Sequence, residues 1–175
     1  MKKLNLFCHS VLIAVSGLIL CAQTIANDAD TIAGIKNLKT PAPNYFSGGQ
    51  PTTEQLDALA GAGVKHVINL RLSSETPKFD EESLVVDRGM IYHSLPVDGV
   101  EGLSLSNIKA LDQLLKQSGD EKVFLHCASG NRVGALMALR AASFDGKNID
   151  EALVLGKSWG LTRLESEVRR LLGGS

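Results

Sequence analysis

Val123-Phe124-Leu125-His126-Cys127-Ala128-Ser129-Gly130-Asn131-Arg132-Val133-Gly134 is the stretch on which the reading of this chain turns. Val123 to His126 is a short apolar run that reads as a buried strand. A helix is predicted from Arg132 to Ala142, and the tight turn between the two carries a single cysteine. Backbone N–H groups of such a turn converge into an anion-binding nest, and the helix behind it adds the positive end of its dipole. Gly130 permits a backbone angle that a side chain would resist. The same field favours thiolate at Cys127, the nucleophilic form of the residue. Arg132 can clamp an oxyanion with its planar fork. One loop therefore offers a nucleophile (Cys127), an oxyanion cradle (Ala128, Ser129, Gly130 and Asn131) and a counter-charge (Arg132), with His126 expected to orient it. The thiol is expected to be partly exposed.

Outward from this loop, strands and helices alternate. Asn44–Ser47 reads as a first strand. Thr52 or Thr53 caps a helix to about Ala60, which Gly61 and Gly63 end. Val64–Arg71 is a strand with buried β-branched positions. A helix is predicted from about Phe79 to Arg88, and a strand over Met90–Leu95 that Pro96 stops. Ser104 or Ser106 starts a helix with Ile108, Leu111, Leu114 and Leu115 on one face. Two further helices are predicted at about Ile149–Lys157 and Leu161–Leu172. The pattern predicts an α/β fold: a single three-layer domain with a mainly parallel central sheet flanked by helices. In such folds the site lies outside the carboxyl ends of the strands, which is where Cys127 falls. Tyr45 and Trp159 are expected in the core, His66 and His93 read as structural, and Arg71 with Glu75 as an exposed ion pair.

The chain has 175 residues with 18 Lys+Arg against 19 Asp+Glu. Without clustered positive charge, non-specific binding to nucleic acid or to an anionic membrane is excluded as a main role. Residues 1–26 read as a cleavable signal peptide: basic Lys2 and Lys3, an uncharged apolar run from Leu4 to Ala22, then Thr24-Ile25-Ala26 as a small-x-small site. The expected organisation is a signal peptide (1–26), a lead-in (27–42) and a domain (43–175), exported to the periplasm. An uncleaved membrane anchor is the alternative. Cys8 and Cys21 leave with the signal, so the mature domain has Cys127 alone and no internal disulfide. His66, His93 and His126 have no metal-ligand spacing, and no nucleotide-binding glycine motif is present. Neither a metal nor a cofactor is expected.

Phe46-Ser47-Gly48-Gly49-Gln50-Pro51, Val67-Ile68-Asn69-Leu70-Arg71, Ile91-Tyr92-His93-Ser94-Leu95-Pro96-Val97-Asp98 and the His126–Arg132 loop together resemble the cysteine-dependent protein phosphatases. The resemblance is to the dual-specificity-like branch, and within it to the bacterial β-lactamase-hydrolase-like phosphatase domain group. It implies phosphomonoester hydrolysis through a phosphocysteine, on a phosphorylated substrate. By the same resemblance Asp98, just past the Met90–Leu95 strand, is the general acid, with Glu101 as the fallback. Two departures stand out. Ala128-Ser129-Gly130-Asn131 are four residues where the family has five, and Val133 replaces a common Ser or Thr. A six-residue Cys-x-x-Gly-x-Arg loop resembles instead the rhodanese sulfurtransferases, which would put a persulfide on Cys127 and make the substrate a sulfur donor. The upstream Asn69-Leu70-Arg71 only half matches that family. A non-catalytic phosphate- or sulfate-binding module is the third alternative, since the loop amides and Arg132 suffice for binding.

Overall fold

Apolar side chains alternate along the strand that carries the cysteine: Val123 and Leu125 enter one core, Phe124 the other. A strand buried on both faces needs helices on both. A computed structural model describes residues 30–174. Its elements are β1 (Lys39–Ala42), β2 (Tyr45–Gly48), α1 (Thr53–Gly61), β3 (Val64–Asn69), α2 (Glu81–Val86), β4 (Ile91–Ser94), α3 (Leu105–Ser118), β5 (Lys122–His126), α4 (Asn131–Phe144), α5 (Ile149–Ser158) and α6 (Glu165–Leu171). The five strands form one sheet in the order β1-β2-β5-β3-β4. β2, β5, β3 and β4 are parallel, and only β1 runs antiparallel. The predicted three-layer α/β domain is thus observed.

Helices α1 and α2 cover one face through Leu56, Leu59 and Val85. The other face lies under α3, α4, α5 and α6, through Ile108, Leu111, Leu136, Leu153 and Val168. Thr52 and Asn148 close capping boxes on α1 and α5, and Ser104 caps α3. Each such cap contributes about 1 kcal/mol. Helix α4 is different: Gly130 stands at its N-cap with φ 80° and no side chain caps it, so its first N–H groups stay free for a ligand. Helix α4 is also buried along most of its length and approaches its neighbours closely. A Cβ on Gly134 would fall 2.1 Å from the Leu161 amide nitrogen and 2.6 Å from the Gly156 carbonyl oxygen.

Two expectations change. Residues 30–42, read as a lead-in, belong to the domain: Ile32 and Ile35 are buried, and Lys39–Ala42 adds the edge strand β1. This strand, Lys-Thr-Pro-Ala, has no apolar alternation, so its sequence carries no strand signal. The helix predicted over Leu161–Leu172 begins only at Glu165, because Gly160 to Leu164 are engaged with the cysteine loop. The predicted signal peptide lies outside the described residues. Among the described residues, no helix is long and apolar enough to cross a membrane.

Candidate active site

Cys127 leaves the carboxyl end of β5, the middle strand of the sheet, and its amide donates to the Gly48 carbonyl at 3.3 Å. Among the described residues, the following N–H groups, Ala128 through Val133, meet no protein acceptor; the first helical bond is Gly134 N–H to Gly130 O, at 3.0 Å. A run of uncommitted donors at a helix start is an anion cradle. Neighbouring segments hold its shape. The Asn37 carboxamide donates to the Ser129 carbonyl at 3.2 Å. Gly160 backs tightly onto Gly130, where a Cβ would fall 3.1 Å from the Gly130 carbonyl oxygen, and Gly48 lies in van der Waals contact with Gly130 on another side. Ala128 is exposed and Ser129 half-buried. The thiol residue itself is only 1 % exposed, which corrects the expectation of a partly exposed cysteine. The loop folds back over the strand end, and Cys127 packs with the apolar core beneath.

Arg132 is fixed before any ligand arrives. Its Nη1 donates to Glu75 Oε1 (2.7 Å), Val97 O (2.9 Å) and Leu70 O (3.2 Å), and its Nη2 to Glu75 Oε2 (2.8 Å). The carboxylate–guanidinium pair is therefore two-pronged, the arrangement that best fixes a planar fork. Glu75 ends a single 3₁₀ turn (Ser73–Glu75), where Oε1 also accepts the Leu72 N–H at 2.9 Å. Arg71 adds bonds to Glu75 and to Gln50. Hydrogen bonding from Arg132 holds the Glu75 carboxyl down at about 2, against its partial burial. The same pairing raises Arg132, to which the Cys127 sulfur adds as a further partner. The Arg71–Glu75 pair expected as exposed is thus the brace of the loop arginine, three-quarters buried on the Glu75 side.

A cleft of about 550 Å³ opens over the loop. Cys127, Ala128, Ser129, Asn131 and Arg132 form its floor, and Leu72, Asp98, Arg163 and Leu164 belong to its walls. Asp98 is exposed on the loop after β4. Glu101 is outside this lining, so of the two candidate acids only Asp98 shares the cleft with the thiol. Asn131 contributes to the floor of the cleft while its side chain is committed to the scaffold. Its side-chain oxygen accepts the Thr162 N–H (2.8 Å), the Thr162 hydroxyl (3.1 Å) and the Leu164 N–H (3.4 Å), which leaves only its backbone N–H for an anion.

His126 is fully buried, its ring stacked on Phe124 at 5.4 Å. Its Nδ1 faces the Cys127 carbonyl at 3.4 Å. Its Nε2 lies 2.9 Å from Glu81 Oε1, at ion-pair distance but off the line of a hydrogen bond. Glu81 Oε2 accepts from the Asn69 amide, which also donates to the Tyr92 hydroxyl, both at 2.9 Å. A buried carboxylate thus stands behind the residue that precedes the cysteine. His66 bridges Glu121 and His93 within the sheet, and Tyr45 packs on Trp159 at the opposite strand ends. His66, His93, Tyr45 and Trp159 all read as structural, as expected. Among the described residues no cluster could hold a metal. Sequence reasoning missed Glu75 as a brace, the buried Glu81 and Arg163. A guanidinium held partly out of solvent calls for a counter-charge, but the sequence does not say which carboxylate supplies it.

A family model described as a DSP-PTPase phosphatase fused to NAD+ kinase matches residues 26–155. A β-lactamase hydrolase-like protein of Xylella fastidiosa (strain Temecula1) is 31 % identical over 116 residues, 64 % of this chain and 26 % of that protein. This chain therefore matches about a quarter of the length of its curated relatives. A candidate phosphatase (DUF442) of Shewanella putrefaciens CN-32 is 27 % identical in structure-based alignment, with TM-score 0.62, covering 83 % of this chain and 99 % of that one. Another, from Neisseria meningitidis Z2491, shares the fold at 19 % identity and TM-score 0.64, over 75 % of this chain and 96 % of its own. The rhodanese-like alternative is not favoured by these relatives.

Proposed function

Since the chain belongs to the family described as a DSP-PTPase phosphatase fused to NAD+ kinase, we propose that it is a cysteine-dependent phosphomonoester hydrolase of the tyrosine and dual-specificity type. The observation that carries this reading is the loop itself. A cysteine stands at the strand end, free N–H groups run from Ala128 to Val133, and Arg132 is locked by Glu75 beneath a cleft that also holds Asp98.

In the proposed first step the Cys127 thiolate attacks phosphorus. The S–P bond forms as the ester P–O bond breaks, and Asp98 gives its proton to the departing alkoxide or phenoxide. The loop N–H groups and Arg132 take up charge on the equatorial oxygens, and because they are already in position the reaction need not order them. In the second step the Asp98 carboxylate takes a proton from water. The new O–P bond forms, the S–P bond breaks, and thiolate and inorganic phosphate result. Val133 offers no hydroxyl to the leaving sulfur, so the positive charge of Arg132 beside Cys127 carries that task.

The test is aryl-phosphate hydrolysis by the purified protein and by Cys127→Ser. The variant should release no phosphate yet still bind vanadate or phosphate; release by the variant at the wild-type rate would refute the reading. We further propose export to the periplasm through the pattern of residues 1–26. N-terminal sequencing of protein recovered from osmotic-shock fluid would show a start at Asn27, and recovery only from the cytoplasm would overturn it.

A further inference from the structure

The chain has seven arginines, and six are engaged by carboxylates: Arg71 and Arg132 by Glu75, Arg88 by Asp57, Arg140 by Asp112 and Asp145, Arg169 by Asp150, and Arg170 by Glu167. Arg163 is the exception. Among the described residues it makes no hydrogen bond and no ion pair, and it lines the cleft over the cysteine loop. Its backbone, in contrast, is held on both sides. Thr162 and Leu164 each donate an N–H to the Asn131 side chain, and Asn131 is the residue before Arg132 in the loop. Gly160, with φ 106°, lies against Gly130 in the same loop, and the Trp159 carbonyl accepts from buried Ser47. The segment carrying Arg163 is thus tied to the anion cradle at several points while its guanidinium is left without a partner. Arg163 itself is exposed, so what is fixed at the cleft is its backbone and the reach of its side chain. An unpaired guanidinium held at the mouth of a phosphate site is suited to a second anion.

We propose that Arg163 is a specificity residue and that the cleft takes small phosphomonoesters bearing a second anionic group, a phosphate or a carboxylate. This rests on the phosphatase reading above. The scissile phosphoryl group sits in the loop over Cys127, and the second anion meets Arg163. Apolar Leu72 and Leu164, in the same cleft, flank the carbon skeleton between them. Asp98 is the cleft's unneutralised acid, because the Glu75 charge is taken by Arg132 and Arg71. The two cationic ends therefore favour a substrate with negative charge at both ends.

Matched probes decide it: phenyl phosphate against 1,4-phenylene bisphosphate, and butyl phosphate against 1,4-butanediol bisphosphate, with wild type, Arg163→Ala and Arg163→Lys. The expected result is a ratio of KM for bisphosphate to KM for monophosphate that rises about tenfold in Arg163→Ala, the size of one partly exposed charge-assisted hydrogen bond. Arg163→Lys should restore part of it, and added salt should narrow the difference. Hydrolysis of the monophosphates together with an unchanged ratio overturns this inference and leaves the phosphatase reading standing. If no probe is hydrolysed, calorimetry with Cys127→Ser still decides. Tighter binding of bisphosphate that depends on Arg163 supports the inference without the chemistry, and equal binding by Cys127→Ser with and without Arg163→Ala refutes it.

Discussion

Glu75→Gln is the most informative single change, because it removes one charge and little volume. The carboxyl falls from 4.5 to about 2 in the folded protein. At 1.36 kcal/mol for each pKa unit, that difference of about 2.5 corresponds to about 3 kcal/mol. The amide still accepts one hydrogen bond, so a loss of about 2 kcal/mol is expected, read as a urea midpoint lower by about 1 M. The sign of the pH dependence follows from the lowered carboxyl. Its contribution is fully present above the unfolded value of 4.5 and is lost as pH falls through about 2. The gap between wild type and variant should therefore be flat from about pH 8 to about pH 5.5 and narrow only below about pH 4.5. Arg132 would keep the Leu70 and Val97 carbonyls but lose its two-pronged anchor. A loosened guanidinium should cost about 10- to 100-fold in kcat/KM on an aryl phosphate. Urea unfolding at several pH values, with kinetics on the same samples, reads both. A variant within about 0.5 kcal/mol and twofold of wild type would refute the brace, and so would a gap that closes between about pH 8 and pH 6.

Three other outcomes are expected. Asp98→Asn should lower kcat about 10²- to 10⁴-fold for an alkyl phosphate and far less for a nitrophenyl ester, whose leaving group needs no proton. Glu101→Gln should do neither, and equal effects of the two substitutions would withdraw the role of Asp98. Gly134→Ala forces a methyl into the Leu161 and Gly156 backbones and should destabilise by at least about 2 kcal/mol; a calorimetric Tm within a degree or two of wild type would contradict that close approach. Glu81→Gln weakens the buried contact to His126 and should cost about 1–3 kcal/mol while lowering kcat more than it raises KM, and a change confined to KM would mean that Glu81 does not act through the cysteine loop.

The three-layer fold was legible because its strands carry their own signals. Val64–Asn69 and Lys122–His126 are buried on both faces, and Thr52, Ser104 and Asn148 announce helix starts. The cysteine loop was legible because its chemistry is local: strand, thiol, glycine and arginine are contiguous. Asp98 could be nominated only through resemblance, since a lone loop carboxylate has no local signature. What escaped was whatever depends on chain crossing space. Glu75 reaches Arg132 across 57 positions, while its neighbour Arg71, four residues away, offers the nearer and misleading partner. Glu81 sits in an acidic first turn (Asp80, Glu81, Glu82) that reads as solvated. Only the fold reveals that the middle acid turns inward to His126. Strand β1 escaped because edge strands need no apolar alternation.

The short loop illustrates how local and distant constraints meet. Four residues between cysteine and arginine give fewer amides than the family's five, which taken alone makes for a narrower and weaker cradle. The structure shows a loop whose shape is imposed largely from outside. Asn37 holds Ser129, Gly48 holds the Cys127 amide, Gly160 backs Gly130, and Asn131 is spent on Thr162 and Leu164. The Asn131 side chain and the Ser129 carbonyl are thus spent on the scaffold, while the N–H groups from Ala128 to Val133 are not used there. Preorganised donors are worth more than mobile ones, because no ordering cost falls on the bound state. A loop of this length can therefore hold a phosphoryl group if its donors are fixed in advance. Every outside contact named here serves that end, as does the Glu75 brace on Arg132. The lost amide is offset by rigidity, and rigidity is supplied by segments between Asn37 and Leu164 that no reading of the loop alone would join.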